Sequence, residues 1–195
     1  WAQFPSFAKA NGIDVGKIKV EPVGFPTREP MLAEGKVDSV TGFSFSSFLN
    51  LIRLGVPEND ITTILMADYG LQLYGNAVIV NTDFAKDNPE IVKKFVVALG
   101  AGWKDAINDP KAAIAALVKR NPAADSALEQ RRLELAIKAN VLSDYVKANG
   151  MGGIEKKRFD AAIQQLAETY KYKNKPDAKL YFTDAYLPSG GVKLN

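Results

Sequence analysis

The sequence contains neither histidine nor cysteine. The chain therefore cannot build a Ser–His–Asp or Cys–His catalytic site, because each needs a histidine as its base. Zinc sites made of cysteine and histidine, cysteine-ligated iron–sulfur clusters, and haem held by either residue are excluded as well. We expect a protein that is not an enzyme and that uses no metal or cofactor. Without cysteine, disulfide bonds give no indication of the cellular compartment.

Long hydrophobic runs and concentrated charge are also absent. No apolar run approaches the roughly 18 residues that cross a bilayer. The net charge of +3 is small for a nucleic-acid-binding protein, which concentrates basic side chains on one face. The densest basic segment contains Lys171, Lys173, Lys175 and Lys179, but a proline and an aspartate interrupt it. We expect a solvated turn there and no nucleic-acid partner.

The first third of the chain alternates β-branched segments with short amphipathic ones. Strands are predicted at 17–20, 22–23, 39–42 and 61–66. Helices are predicted at 1–10, 28–34 and 47–54, with Thr27 as one N-cap and Ser44 or Ser46 as another. This alternation is typical of a parallel sheet in an α/β fold.

After residue 75 the sequence becomes mostly helical. A further strand is predicted at 76–80. Helices are predicted at 89–107, 111–119, 126–140, 143–148 and 155–170, several of them opened by an Asn–Pro or Asp–Pro pair. The segment 67–75 interrupts the pattern with two glycines and two tyrosines. We therefore divide the chain into an α/β part over 1–66, a crossing at 67–75 and a helix-rich part over 76–195.

The best candidate for ligand contact follows the predicted strand 39–42. Ligands of open α/β sheets bind beyond the carboxyl ends of strands, where a helix N-terminus offers N–H donors. Gly42, Phe43 and Ser44 occupy such a turn and combine an aromatic wall with a hydroxyl. The alternative is a capped helix with no ligand. Thr27 holds the equivalent place after the preceding strand, or serves only as a cap.

Other residues allow two interpretations each. Tyr69 and Tyr74 flank the crossing and either stack on a planar ligand or pack between domains. The carboxylates Glu29 and Glu34 fit a solvated helix surface better than an acid–base pair. The glycines of 150–153 follow a helix rather than a strand, so they do not form a dinucleotide-binding loop.

Several segments together resemble one family. They are the residues at 1–5 and 7–13, the stretch 31–43 (MLAEGKVDSVTGF), Asp68–Gly70, and the segments 88–92, 103–110, 151–154 and 182–188. Across its whole length the chain resembles the extracytoplasmic solute-binding proteins of ABC importers. The group in question binds nitrate, taurine, alkanesulfonates and pyrimidine precursors of thiamine.

The resemblance implies a type II periplasmic-binding fold, in which two α/β lobes close on a ligand cleft. Residues 1–66 would be part of the second lobe, and 76–195 the returning, helix-rich part of the first. The chain looks like the later part of a family member, so we expect further sequence before Trp1. Carried over to this sequence, the cleft would be lined by Trp1, Thr27, Gly42, Phe43, Ser44, Tyr69, Tyr74 and Asn76.

The same resemblance implies a function. The protein would capture a small organic ligand, such as a sulfonate, a pyrimidine or a similar planar or anionic compound, and deliver it to a membrane permease. It would be a monomer in the periplasm or otherwise outside the cytoplasm, with membrane anchoring left open. A thiamine-pyrimidine-synthase-like enzyme shares the fold, but such enzymes rely on a histidine. A ligand-sensing receptor domain is the other alternative.

Overall fold

The computed structural model describes residues 1–174 and 176–194. Its α-helices are α1 (Phe4–Ala10), α2 (Phe25–Ala33), α3 (Ser44–Arg53), α4 (Thr82–Asp87), α5 (Pro89–Asn108), α6 (Pro110–Arg120), α7 (Ser126–Ala136), α8 (Asp144–Asn149) and α9 (Lys156–Tyr170). Short 3₁₀ turns occupy Val15–Lys17, Glu58–Asp60, Met66–Tyr69 and Ala178–Leu180, and a π turn at Ile137–Val141 follows α7. Lys175, part of the predicted basic turn, lies outside the described residues.

The chain divides into two compact units. The first consists of Trp1–Leu73 and Asp160–Pro176, and the second of Tyr74–Phe159 and Asp177–Asn195. The change between them at Leu73 falls within the segment 67–75 that the sequence marks as a crossing. The assignment of 1–66 and 76–195 to two lobes stays a prediction.

The predicted strands do not pair into a sheet. Among residues 1–174 and 176–194, β-pairing is limited to one isolated antiparallel bridge between Met151 and Val192. The segments predicted as strands have no regular structure, except that Lys17 and Met66 belong to short 3₁₀ turns. A strand is stable only when its backbone N–H and C=O groups pair with a neighbouring strand. These segments lack such a neighbour in the described chain, and Ile79 is 91% exposed. Residues 1–174 and 176–194 therefore do not confirm the two α/β lobes that the sequence predicts.

Helix starts also differ from the prediction in α2 and α3. α2 begins at Phe25, before the predicted start at residue 28, with Gly24 as its N-cap and a proline in its first turn. Thr27 therefore lies inside the helix and caps nothing. Phe43 is the N-cap of α3, no side chain caps it, and Ser44 is its first residue. α4 was not predicted, although the Asn81 side chain accepts from the backbone N–H groups of its first turn, the usual N-cap arrangement.

Side-chain hydrogen bonds join distant segments within the first unit. The Ser6 hydroxyl in α1 donates to Thr169 Oγ1 at 3.0 Å. Gln165 binds the backbone twice, donating to the Gly70 carbonyl at 3.1 Å and accepting from the Gln72 N–H at 3.2 Å. Residues from the C-terminal part of α9 thereby fix the chain just after the Met66–Tyr69 turn.

The glycine-rich segment 150–152 has a structural role in the second unit. Met151 and Val192 exchange backbone hydrogen bonds of 2.8 and 3.0 Å. A side chain at Gly150 would place its Cβ 2.8 Å from the Gly190 carbonyl oxygen. A side chain at Gly100 in α5 would collide with Val192. These glycines allow the C-terminal segment to lie against α5 and the loop after α8.

Candidate functional site

One arginine holds the chain just before the Gly42–Ser44 turn. Arg28 Nη1 donates to the Thr41 carbonyl at 3.0 Å, and Nη2 donates to Ser47 Oγ at 3.3 Å. Arg28 Nε donates to Glu29 Oε1 at 2.7 Å. The Ser47 hydroxyl donates to the same carboxylate oxygen at 2.6 Å. α2 and α3 are therefore joined by a closed polar network, which we call the Arg28–Glu29–Ser47 network.

The network is buried and charged. Glu29 is 2% exposed. Burial is the largest influence on the pKa of Glu29 and raises it, but hydrogen bonds from Ser47 and Arg28, with the charge of Arg28, bring the pKa below its usual value. Glu29 is therefore ionised at neutral pH. The prediction that Glu29 lies on a solvated helix surface is therefore wrong.

Gly42 lies directly on this network. A Cβ at this position would collide with the Ser47 hydroxyl and come within 3.1 Å of Arg28 Nη2. Only glycine leaves the backbone room to approach the two side chains. The turn that the sequence predicts as a ligand contact thus lies on a buried ion pair.

The outer side of the turn presents aromatic rings and a helix N-terminus. Phe43 is 48% exposed and stacks on Phe45 with ring centroids 5.4 Å apart. Phe25 is 75% exposed, and the Arg28 guanidinium lies 4.9 Å from its ring centroid. The uncapped N-terminus of α3, beginning at Ser44, adds a positive dipole end. Such a surface is suited to a planar ring with a polar or anionic substituent.

A second group of predicted residues forms an aromatic row in the same unit. Trp1 stacks on Phe4 at 5.0 Å between ring centroids, Phe4 meets Phe7 at 5.9 Å, and Tyr69 packs its ring edge-on to Phe7 at 6.3 Å. Phe7 is buried, whereas Trp1 and Tyr69 are 55% and 52% exposed. The Tyr69 carbonyl also accepts from Asn11 Nδ2 at 2.9 Å. The row thus fixes two exposed rings at its ends.

Tyr74 and Asn76 belong to the second unit, whereas the other predicted site residues belong to the first. The Tyr74 hydroxyl accepts the Glu155 N–H at 2.9 Å, and the Arg158 guanidinium lies 4.5 Å from its ring centroid. This environment favours a packing role for Tyr74. Asn76 is exposed in a segment without regular structure. Thr27 is exposed on α2, next to Arg28 in sequence but outside the network's hydrogen bonds.

Neither Glu29 nor Ser47 is among the residues that the sequence predicts to line the cleft. A glutamate inside a short helix has the pattern of a surface residue, and its buried partner lies 18 positions further along the chain. The available signal was the neighbouring Arg28, a lone arginine among the early turns.

No group of three or more histidine, cysteine, aspartate or glutamate side chains in 1–174 and 176–194 could hold a metal ion. Over the same residues, no helix has the length and apolar character needed to cross a membrane.

Comparison with known proteins decides the family. The family model described as NMT1/THI5 like matches residues 2–113, which is more than half of the chain. The chain belongs to the NMT1/THI5-like family. It is also 30% identical over 101 residues to the riboflavin-binding protein RibY of Chloroflexus aurantiacus, a match that covers 52% of this chain and 27% of RibY. The chain thus matches about a quarter of that relative's length.

Family membership confirms the resemblance seen in the sequence. The NMT1/THI5-like family has a periplasmic-binding-like fold. The matched residues 2–113 include the Gly42–Ser44 turn, the Arg28–Glu29–Ser47 network and all of the aromatic row except Trp1.

Proposed function

We propose that this protein is the solute-binding subunit of an ABC importer and that it captures a small planar organic compound. The observation that carries the proposal is the exposed Phe43 ring at the N-terminus of α3, on a turn seated on a buried ion pair. The exposed ends of the aromatic row, Trp1 and Tyr69, add two further rings in the same unit. All these rings are accessible for stacking.

The chemistry of the site favours a ring over an inorganic anion. An aromatic ring stacked on a ligand contributes roughly 0.5–1.5 kcal/mol beyond the area it buries. Small anions are held instead by arginine and N–H donors, and Arg28 is already engaged with Thr41, Glu29 and Ser47. The helix N-terminus remains for one polar or anionic group of the ligand.

Riboflavin is the first compound to test. RibY, to which the chain is 30% identical over the matched residues, is named for riboflavin binding. The isoalloxazine ring is planar and carries carbonyl oxygens that can accept hydrogen bonds from N–H and O–H donors. A thiamine-precursor pyrimidine and an alkanesulfonate follow, because they represent a smaller ring and an anion without a ring.

The proposed setting is outside the cytoplasm, where a monomeric protein would load a membrane permease without altering its ligand. Ligand binding would act by stabilising the form that the permease accepts, in proportion to its different affinities for the two forms.

A thermal-shift screen of the intact gene product that contains this chain tests the proposal. A ligand present at 100 times its Kd should raise the free energy of unfolding by about 2.7 kcal/mol. We expect one planar compound of the screen to raise the melting temperature in proportion to the logarithm of its concentration. A screen in which flavins, pyrimidines and sulfonates all leave it unchanged would contradict the proposal.

A further inference from the structure

We infer that Glu29 and Arg28 are positioning residues for the Gly42–Ser44 turn, which they hold in its ligand-binding conformation without touching the ligand. The inference rests on the proposed function, because it assigns a role to residues beneath the same site. It concerns residues that neither the family match nor the relative singles out.

The geometry of Arg28 carries the first step. A guanidinium is planar and rigid, so the direction of one N–H fixes the directions of the others. Arg28 Nε is bound to Glu29 at 2.7 Å, and Nη1 is thereby aimed at the Thr41 carbonyl at 3.0 Å. Thr41 directly precedes the turn. The carboxylate of Glu29 therefore sets the position of backbone that it does not touch.

In the second step, the network contacts the turn through Ser47 as well as through Thr41. Ser47 Oγ, held by Glu29 at 2.6 Å, forms the surface on which Gly42 rests. The backbone N–H groups of Ser46 and Ser47 both bond to the Phe43 carbonyl, at 2.9 and 2.8 Å. A shift of Ser47 would be transmitted to the residue that carries the exposed ring.

Stability alone gives a weaker account of the network. Replacing a buried ion pair by well-packed apolar residues is often neutral or stabilising, so such a pair is poor support for a purely stabilising role. Here the two Arg28 nitrogens that do not bind Glu29 donate to Thr41 and Ser47, which lie on the two sides of the Gly42–Ser44 turn. The network is placed where it fixes a backbone conformation.

Amide hydrogen exchange in the ligand-free protein tests the inference directly. In Glu29→Gln, we expect the Ser46 and Ser47 amides to exchange at least tenfold faster, whereas the Leu54 amide at the other end of α3 changes by less than threefold. Arg28→Lys keeps the positive charge but loses the fork and should give the same local pattern. Glu34→Gln, an exposed carboxylate near the end of α2, is the matched control and should change neither amide.

Riboflavin titration of the same variants supplies the second readout. We expect Glu29→Gln and Arg28→Lys to raise the Kd at least tenfold, with Glu34→Gln within twofold of the native protein. If the native protein does not bind riboflavin, the choice of ligand fails, and hydrogen exchange alone decides the positioning role. If Glu29→Gln does not fold, Arg28→Lys is measured in its place. Equal acceleration of the amides at both ends of α3, or no acceleration at Ser46 and Ser47, would overturn the inference.

Discussion

Ser47 Oγ lies 2.6 Å from Glu29 Oε1, and both residues are buried. The hydroxyl and the Arg28 guanidinium at 2.7 Å are what keep this carboxylate ionised inside the protein. The buried groups hold the backbone that carries Phe43, whose ring is 48% exposed. Several measurable effects depend on this relationship.

The first prediction concerns the dependence of the protein's stability on pH. The pKa of Glu29 in the folded protein lies below its ordinary value of 4.5. Its contribution to stability is therefore complete above that value and is lost as the pH falls through the folded-state pKa. Glu29→Gln should cost about 3 kcal/mol of the free energy of unfolding at pH 7, because it leaves Arg28 without its buried partner.

Urea denaturation between pH 7 and pH 3 measures this effect. The difference in unfolding free energy between native protein and Glu29→Gln should shrink as the pH falls below about 4.5. Glu90 is the control, since hydrogen bonding and charge from Lys93 lower its pKa at an exposed site. Glu90→Gln should change stability little at any pH. A difference for Glu29→Gln that stays constant over the whole range would show that the carboxylate is not the ionised partner of Arg28.

The second prediction concerns the fit of Gly42 on Ser47. Gly42→Ala should destabilise the protein by about 1–3 kcal/mol, because the added methyl group overlaps the Ser47 hydroxyl. Removing that hydroxyl makes room, so Gly42→Ala combined with Ser47→Ala should be less destabilised than the sum of the two single changes. A double-mutant cycle by chemical denaturation gives the coupling. Strict additivity would mean that the turn does not rest on Ser47.

The third prediction separates two glycines of α5. A side chain at Gly100 would collide with Val192, whereas one at Gly102 meets no atom within 4 Å. Gly102→Ala should therefore stabilise the protein by about 0.5–1 kcal/mol through helix propensity, and Gly100→Ala should destabilise it. Thermal melts of both variants provide the comparison, with each glycine serving as the control for the other. The same sign for both would contradict the packing of the C-terminal segment on α5.

The fourth prediction assigns different roles to the two tyrosines. Tyr69 is half exposed at the end of the aromatic row, and Tyr74 is held by Glu155 and Arg158. Tyr69→Ala should weaken ligand binding at least tenfold, equivalent to about 1.4 kcal/mol, with a small change in unfolding free energy. Tyr74→Ala should do the reverse. Calorimetric titration beside denaturant melts distinguishes them, and exchanged outcomes would move the site to the second unit.

Local signals in the sequence predicted the helices well. The Asn88–Pro89 pair predicted a helix over 89–107, and α5 spans Pro89–Asn108. Gly150 was predicted to end a helix, and it follows α8 with a φ of +84°. Both signals act within a few residues, because capping and backbone preference are local properties.

Features that depend on distant partners were not predictable in the same way. Strand-forming residues at 61–66 and 76–80 indicate a sheet only if other strands lie beside them, and the described chain pairs none there. The burial of Glu29 depends on Ser47, which belongs to another helix. The position of Gly42–Ser44 before a helix predicted this turn as a ligand contact, whereas no local pattern in the sequence predicted the ion pair beneath it.

Fluorescence titration of riboflavin against the intact gene product tests the central claim most directly. Transfer of the isoalloxazine from water to a protein surface should change its emission at saturating protein, and Phe43→Ala should raise the Kd at least tenfold. Tyr181→Ala removes an exposed ring of the second unit and should leave the Kd within twofold of the native value. Equal affinities for native protein and Phe43→Ala would contradict a ligand site at the Gly42–Ser44 turn.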